Sequence, residues 1–306
     1  MARSRALRLC VYAGPMRRRY ESAWTAGASA LLIAVVTACG ASPTGTATRP
    51  ATVESTPSSP APSVRHEFVS VAGGQLELWC DGDGPAVMFL SGIGGDHSLI
   101  PIGLQLSHDA YACIYDRPGD GPPPPDRPRT AGSDAVDLHE LLAVAEIPTP
   151  VVLVAHSYGG LIAVIAAAEH PQDIAGVVFV DASQPDAEER FDAILTEAQR
   201  AHHDAAFKNF PYVDWPTSLV EAADSLPSFP DVPVTVITAA RSFTDPCDEQ
   251  LLCDKMQAIW LDVQDEFATL TPDARHVLAD TGHYVHEEDP DLVETEIRAL
   301  LARIEH

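Results

Sequence analysis

From about residue 66 onward the chain alternates between two apolar rhythms. Short uninterrupted apolar runs occur at Ala86–Leu90 (AVMFL), Ala110–Tyr115, Val151–Ala155 (VVLVA), Ile174–Val180 (IAGVVFV), Val234–Ala239 (VTVITA) and His276–Ala279 (HVLA). Runs without polar alternation suit parallel strands covered on both faces. Ahead of them, Glu67–Val71 and Gln75–Cys80 flank Gly73-Gly74 and read as a hairpin. Helical spacing appears between the strands. Ser133–Ala145 aligns Val136, Leu138, Leu141, Leu142 and Ala145, Gly159–His170 stops at Pro171, and Leu292–Ile304 lines up Val293, Ile297, Leu300, Leu301 and Ile304. This order predicts an α/β fold with a doubly wound, mostly parallel sheet of eight strands.

The rhythm breaks between Asp181 and Val232. That stretch holds helical segments and the aromatics Phe191, Phe207, Phe210, Tyr212, Trp215 and Phe229. It reads as a helical cap, at about 185–232, inserted after strand six over the strand C-termini, where such sheets bind ligands.

The first residues follow another logic. Arg3, Arg5, Arg8, Arg17, Arg18 and Arg19 precede an apolar run, Ala26–Val36, which leads into Thr37-Ala38-Cys39. A basic start, a short apolar stretch and small residues describe an export signal. The run is too short to cross a bilayer comfortably. Its end resembles a lipoprotein cleavage box, so residues 1–38 read as signal peptide and Cys39 as the lipidated residue. Translation from Met16 would give a more usual signal length. Residues 39–64, rich in Ser, Thr, Pro and Ala, read as a tether. Residues 65–306 then form one α/β domain. The expected location is outside the cell, anchored to the outer face of the membrane or secreted.

A formal net charge of −25, with 19 Lys and Arg, excludes the basic surface that nucleic acid requires. Beyond Cys10 and Cys39 the cysteines are Cys80, Cys113, Cys247 and Cys253. An even number in an exported chain points to disulfides, with three possible pairings, and the closeness of Cys247 to Cys253 favours joining those two. No ligand spacing supports a metal, and no cofactor is expected.

The strongest chemical signal is Val154-Ala155-His156-Ser157-Tyr158-Gly159-Gly160. An apolar strand leads in and an Ala-rich helix leads out, the context of a nucleophile elbow. The residues two before and two after the serine must be small, and here they are Ala155 and Gly159. Ala155 stands where the pattern usually has Gly.

With these residues in place, the chain resembles the α/β-hydrolase superfamily over about residues 66–306, especially its secreted actinobacterial-type serine hydrolases. Leu90-Ser91-Gly92-Ile93-Gly94-Gly95 resembles the oxyanion-hole turn after the third strand, with Ser91 where His is usual. Tyr115-Asp116-Arg117-Pro118-Gly119-Asp120-Gly121 resembles the following Arg- and Gly-bearing turn, braced by Asp116 and Arg117. The resemblance implies Ile93 and Tyr158 as oxyanion donors through their backbone N–H groups. It also supports pairing Cys80 with Cys113.

The base belongs after the last strand, where Thr281-Gly282-His283 and then Pro290 fit the family pattern. His283 is preferred over His276 and His286. For the acid, chain order allows Asp181, directly after Val180, or Asp245, beyond Ala239. Most members place the acid in the second position, but Asp245 sits far past its strand, beside Cys247. Asp181 is therefore preferred, with Asp245 as runner-up. The His202-His203 pair reads as solvated.

The resemblance implies a carboxylic ester hydrolase with an acyl-enzyme on Ser157, and the apolar, aromatic cap points to a small-molecule ester with a hydrophobic acyl or alcohol group as its substrate. Thioesterase, lactonase, peptidase or perhydrolase chemistry at the same triad stays open, as does a non-catalytic binding protein on this fold.

Overall fold

The computed structural model describes residues 64–304, apart from 96, 121–127, 208–209 and 244–248. The export signal, Met16, Cys39, most of the tether, Asp245 and Cys247 lie outside the described residues. Eight strands form one sheet: β1 (Arg65–Val71), β2 (Gly74–Asp81), β3 (Ala86–Leu90), β4 (Tyr111–Asp116), β5 (Val151–His156), β6 (Ile174–Val180), β7 (Val234–Ala239) and β8 (Arg275–Ala279). Their order is β1-β2-β4-β3-β5-β6-β7-β8, and from β4 onward neighbours run parallel. The sequence expectation of an eight-stranded, mostly parallel sheet holds.

Burial follows sheet position. Every residue of β3, β5 and β7 is buried, as expected for parallel strands with helices on both faces. β1 and β2 form the antiparallel hairpin at one edge and alternate buried with exposed positions. The helices are α1 (Ile100–Leu106), α2 (Ala131–Val144), α3 (Gly159–Glu169), α4 (Ala187–Ile194), α5 (Glu197–Phe207), α6 (Trp215–Ser225), α7 (Gln250–Phe267), α8 (Val285–Glu288) and α9 (Pro290–Ile304). A capping box between Thr130 and Ser133 starts α2. In α3, Gly159 to Ala167 are all buried, so this helix is apolar all round and sits inside the molecule.

Antiparallel pairing sets Cys80 directly opposite Cys113 on β2 and β4, and the two are joined. Cys253 is also disulfide-bonded; Cys247, its expected partner, lies outside the described residues.

The expected cap divides in two. α6 packs on α2 and α3 rather than over the strand ends. Ser218 Oγ accepts from Ala131 N at 2.9 Å, and Glu221 accepts from Gly132 N and from Thr130 Oγ1. The cause is topological: two parallel neighbours, β6 and β7, need a crossover that covers one sheet face, and α6 supplies it. α4, which packs on α7, and α5 take no part in that packing.

Candidate active site

β5 ends at His156 and α3 begins at Gly159, which leaves Ser157 and Tyr158 to make the turn. Ser157 has φ of 50°, a left-handed conformation that costs a non-Gly residue on the order of 1–2 kcal/mol. Its surroundings hold it there. The Ser157 carbonyl accepts from Gly160 N and Ser183 N, both at 2.9 Å. The turn also brings α3 onto β3: a methyl group at Gly159 would sit 2.3 Å from the Leu90 carbonyl oxygen. This contact is the physical reason for the small residue two places after the serine.

Asp181 follows β6 and is fully buried, with φ of 41°. Its Oδ1 accepts from Ala239 N at 2.9 Å and from Trp260 Nε1 at 2.7 Å. Its Oδ2 accepts from Ser242 Oγ at 2.6 Å and meets His283 Nδ1 at 2.7 Å. Every bond that a buried carboxylate needs is thus supplied. The structure brings Asp181 and His283 together, whereas Asp245 lies outside the described residues. His156, next to Ser157 in the chain, reaches the His283 carbonyl with its Nε2 at 3.2 Å, and the two rings lie 4.7 Å apart between centroids. His276 is occupied elsewhere, with Thr238 Oγ1 and Asp265 each at 2.8 Å.

The turn after β3 lies against the elbow. A methyl group at Gly92 would fall 3.2 Å from Ser157 Cβ. Buried Arg117 donates to the carbonyls of Ser91 at 2.7 Å and Gly92 at 2.5 Å. In a trans peptide the N–H points opposite to the carbonyl. Drawing the Gly92 oxygen toward Arg117 therefore turns the Ile93 N–H away from it. Tyr158, at the start of α3, is buried beneath the guanidinium, 5.3 Å from its ring centroid. The counter-ion of Arg117 is Asp120, at 3.0 Å, where the sequence suggested Asp116. Burial pushes the Asp120 carboxyl up, to about 7, against the pull of Arg117.

His286, the second rival for the base, is buried on α8 with Nε2 2.6 Å from Ser98 Oγ. Its ring meets His156 edge-on, at 4.3 Å between centroids. Burial, aided by the nearby His283, pushes its pKa down to about 3. The unfolded chain then binds more protons than the folded one between pH 6.5 and about 3, so stability is lost as pH falls through that window. His286 alone accounts for about 2 kcal/mol of loss at pH 5, at 1.4 kcal/mol per pH unit once titration begins. Urea unfolding at pH 7.5 and pH 5 should show this loss in the native chain and little of it in His286→Gln. An equal pH loss in both chains would refute it.

Aromatics from the cap segment close over these turns. A methyl group at Gly94 would meet the Phe210 ring at 3.0 Å, and one at Gly119 would meet Tyr212 at 2.5 Å. His203, expected to be solvated, is largely buried and pairs with Glu188 at 2.8 Å.

His139, His170 and Asp173 form a cluster whose donor atoms lie within 4.8 Å of one another. The two imidazoles stack at 3.7 Å with planes 1° apart, and His139 Nδ1 meets Asp173 at 2.8 Å. A ring nitrogen binds a metal in the plane of its own ring, so parallel stacked rings do not share an ion. The cluster reads as an ion pair with a stacked neighbour. It sits at the start of β6, at the opposite end of that strand from Asp181.

Sequence reasoning missed Trp260, Ser242, Ser98 and the grip of Arg117 on the Gly-rich turn. Trp260 carried a signal: an indole within an apolar helical stripe still needs a partner for its N–H. Ser242 carried none.

The Alpha/beta hydrolase family model matches residues 87–296. Uncharacterized protein YqjL of Bacillus subtilis is 24% identical over 213 residues, 69% of this chain and 81% of the relative. A thermophilic esterase from Thermogutta terrifontis superposes with a TM-score of 0.54 at 20% identity, covering 79% of this chain and all of that one. Carboxylesterase CesB (YbfK) from Bacillus subtilis superposes at 0.52 and 17% identity, covering 78% of this chain and 92% of that one. At these identities the superpositions speak for the fold, and the family match covers more than half of the sequence. The chain therefore belongs to the alpha/beta hydrolase family and is, by that membership, a hydrolase.

Proposed function

We propose that the protein is a serine hydrolase that cleaves carboxylic esters. The observation that carries this reading is the 2.7 Å contact of His283 Nδ1 with buried Asp181, beside a serine held at positive φ between strand and helix. In the proposed mechanism, Asp181 keeps the His283 proton on Nδ1, leaving Nε2 free to accept. Nε2 takes the Ser157 proton as Oγ attacks the ester carbonyl. The backbone N–H groups of Ile93 and Tyr158 receive the developing oxyanion. Protonated His283 then returns its proton to the leaving alcohol. Water, activated by the same imidazole, cleaves the acyl-enzyme and restores Ser157.

Phe210 and Tyr212, packed over the turns after β3 and β4, favour a hydrophobic acyl or alcohol group. Hydrolysis of p-nitrophenyl esters from acetate to palmitate tests this, with fluorophosphonate labelling as a second readout. Turnover with a preference for longer chains supports the reading. No turnover at any length and no label at Ser157 would reject it in favour of a binding protein on this fold.

Export and lipid anchoring through Cys39 belong to the same proposal, on the Arg-rich start, the apolar run and the small residues before Cys39. Expression in a bacterium that processes lipoproteins should place the native chain in the membrane fraction and release Cys39→Ala. Equal membrane retention of both chains would sink the anchor.

A further inference from the structure

We infer that Trp260, together with Ser242, is a positioning residue of the site: the two hold the plane of the Asp181 carboxylate so that one oxygen faces His283. This inference rests on the proposed triad.

Asp181 stands alone at the end of β6, and nothing in its own segment fixes rotation of the carboxylate. Its donors come from two other elements. The strand-end amide of Ala239 and the indole of Trp260 converge on Oδ1, at 2.9 and 2.7 Å. Ser242, just past β7, donates to Oδ2 at 2.6 Å, beside His283 at 2.7 Å. A quarter turn of the carboxylate plane about its Cβ–Cγ bond would break all four contacts at once, whereas a half turn only exchanges two equivalent oxygens.

Trp260 is itself closely packed. It is buried in a cluster formed by Phe191 and Leu195, from α4 and its end, with Leu252, Met256 and Val263 of α7. The Phe243 ring meets it edge-on, with centroids 5.6 Å apart and planes at 69°. The indole therefore brings a rigid donor to Asp181, and it ties the packing of α4 to the acid. Hydrogen bonds to a charged acceptor are the strong ones, and the buried setting raises their value.

Trp260→Phe keeps a ring in the cluster and removes only the donor, whereas Trp260→Leu removes both. Ser242→Ala removes the second donor at a partly exposed position where folding is safe. The comparison is kcat and KM on one p-nitrophenyl ester for the native chain and the three variants, with thermal unfolding of each. A lost bond to the acid should lower kcat by about 10-fold in Trp260→Phe and Trp260→Leu alike, and by a few-fold in Ser242→Ala, with KM unchanged. Packing loss alone would leave Trp260→Phe at native kcat, and that result overturns the inference. So does a native kcat in Ser242→Ala if Trp260→Phe does not fold. A native chain with no esterase activity at all would instead remove the triad reading beneath it.

Discussion

Ser157→Ala is expected to lower kcat/KM for p-nitrophenyl esters by at least about 10,000-fold, the scale on which serine hydrolases lose rate when the nucleophile goes. The elbow leaves no substitute close by. The neighbouring side chains are His156, which faces His283 and His286, and Tyr158, whose hydroxyl donates to Asp134 at 3.1 Å. Burial raises the Tyr158 hydroxyl far above its ordinary pKa, so it does not ionise to attack in place of serine. What survives should be a small residue of rate over water, supplied by binding and by the N–H groups of Ile93 and Tyr158. The fold should survive as well. Alanine pays only the backbone strain that serine already bears, and the Ser157 carbonyl keeps its bonds to Gly160 and Ser183. Unfolding curves should therefore differ little while turnover and fluorophosphonate labelling vanish together. A variant retaining a tenth of native activity would exclude Ser157 as the nucleophile.

The fold was legible where burial is two-sided. β3, β6 and β7 run over the residues whose apolar stretches predict them, because each is covered above and below and no charged residue interrupts it; the only polar members, Thr235 and Thr238 of β7, are β-branched and buried. α7 escaped notice. Leu252, Met256, Trp260, Val263 and Phe267 do form a stripe along it, but Leu251 is 69% exposed on the opposite side and blurs the period. α1 is only seven residues long and contains Pro101 and Gly103, so local propensity argues against it. Contacts with β4 and α9 support it instead. α6 shows the same limit: its sequence is amphipathic wherever it packs, and only the β6 to β7 crossover decides that it joins α2 and α3.

The site divides along similar lines. Ser157 and the turn of Gly92 and Ile93 are local, since their chemistry requires neighbours in sequence. The acid is not. Asp181 reaches His283 across 102 residues and Trp260 across 79, and no local pattern announces either pairing. The grip of Arg117 on the Gly92 carbonyl is likewise tertiary, 25 residues apart in sequence.

Asp181→Asn should cost about 1,000- to 10,000-fold in kcat/KM, the range seen when a triad acid becomes an amide. The hydrogen-bond pattern explains why no rotation rescues it. Oδ1 faces two donors that cannot become acceptors, the Ala239 backbone N–H and the Trp260 indole. The amide oxygen must stay there. The amide NH2 then occupies the place of Oδ2, against Ser242 and His283 Nδ1. The Ser242 hydroxyl can rotate to accept, but imidazole can accept on Nδ1 only by moving its proton to Nε2. A proton on Nε2 blocks the very atom that must take the Ser157 proton, and the charged imidazole loses its counter-ion. Fluorophosphonate labelling needs the same base and should slow in parallel with turnover. The companion variant Asp245→Asn should keep kcat/KM within about two-fold of the native chain, since Asp181 already meets His283 Nδ1. If Asp245→Asn proves crippled and Asp181→Asn active, the acid lies after β7, and the bonds around Asp181 are structural.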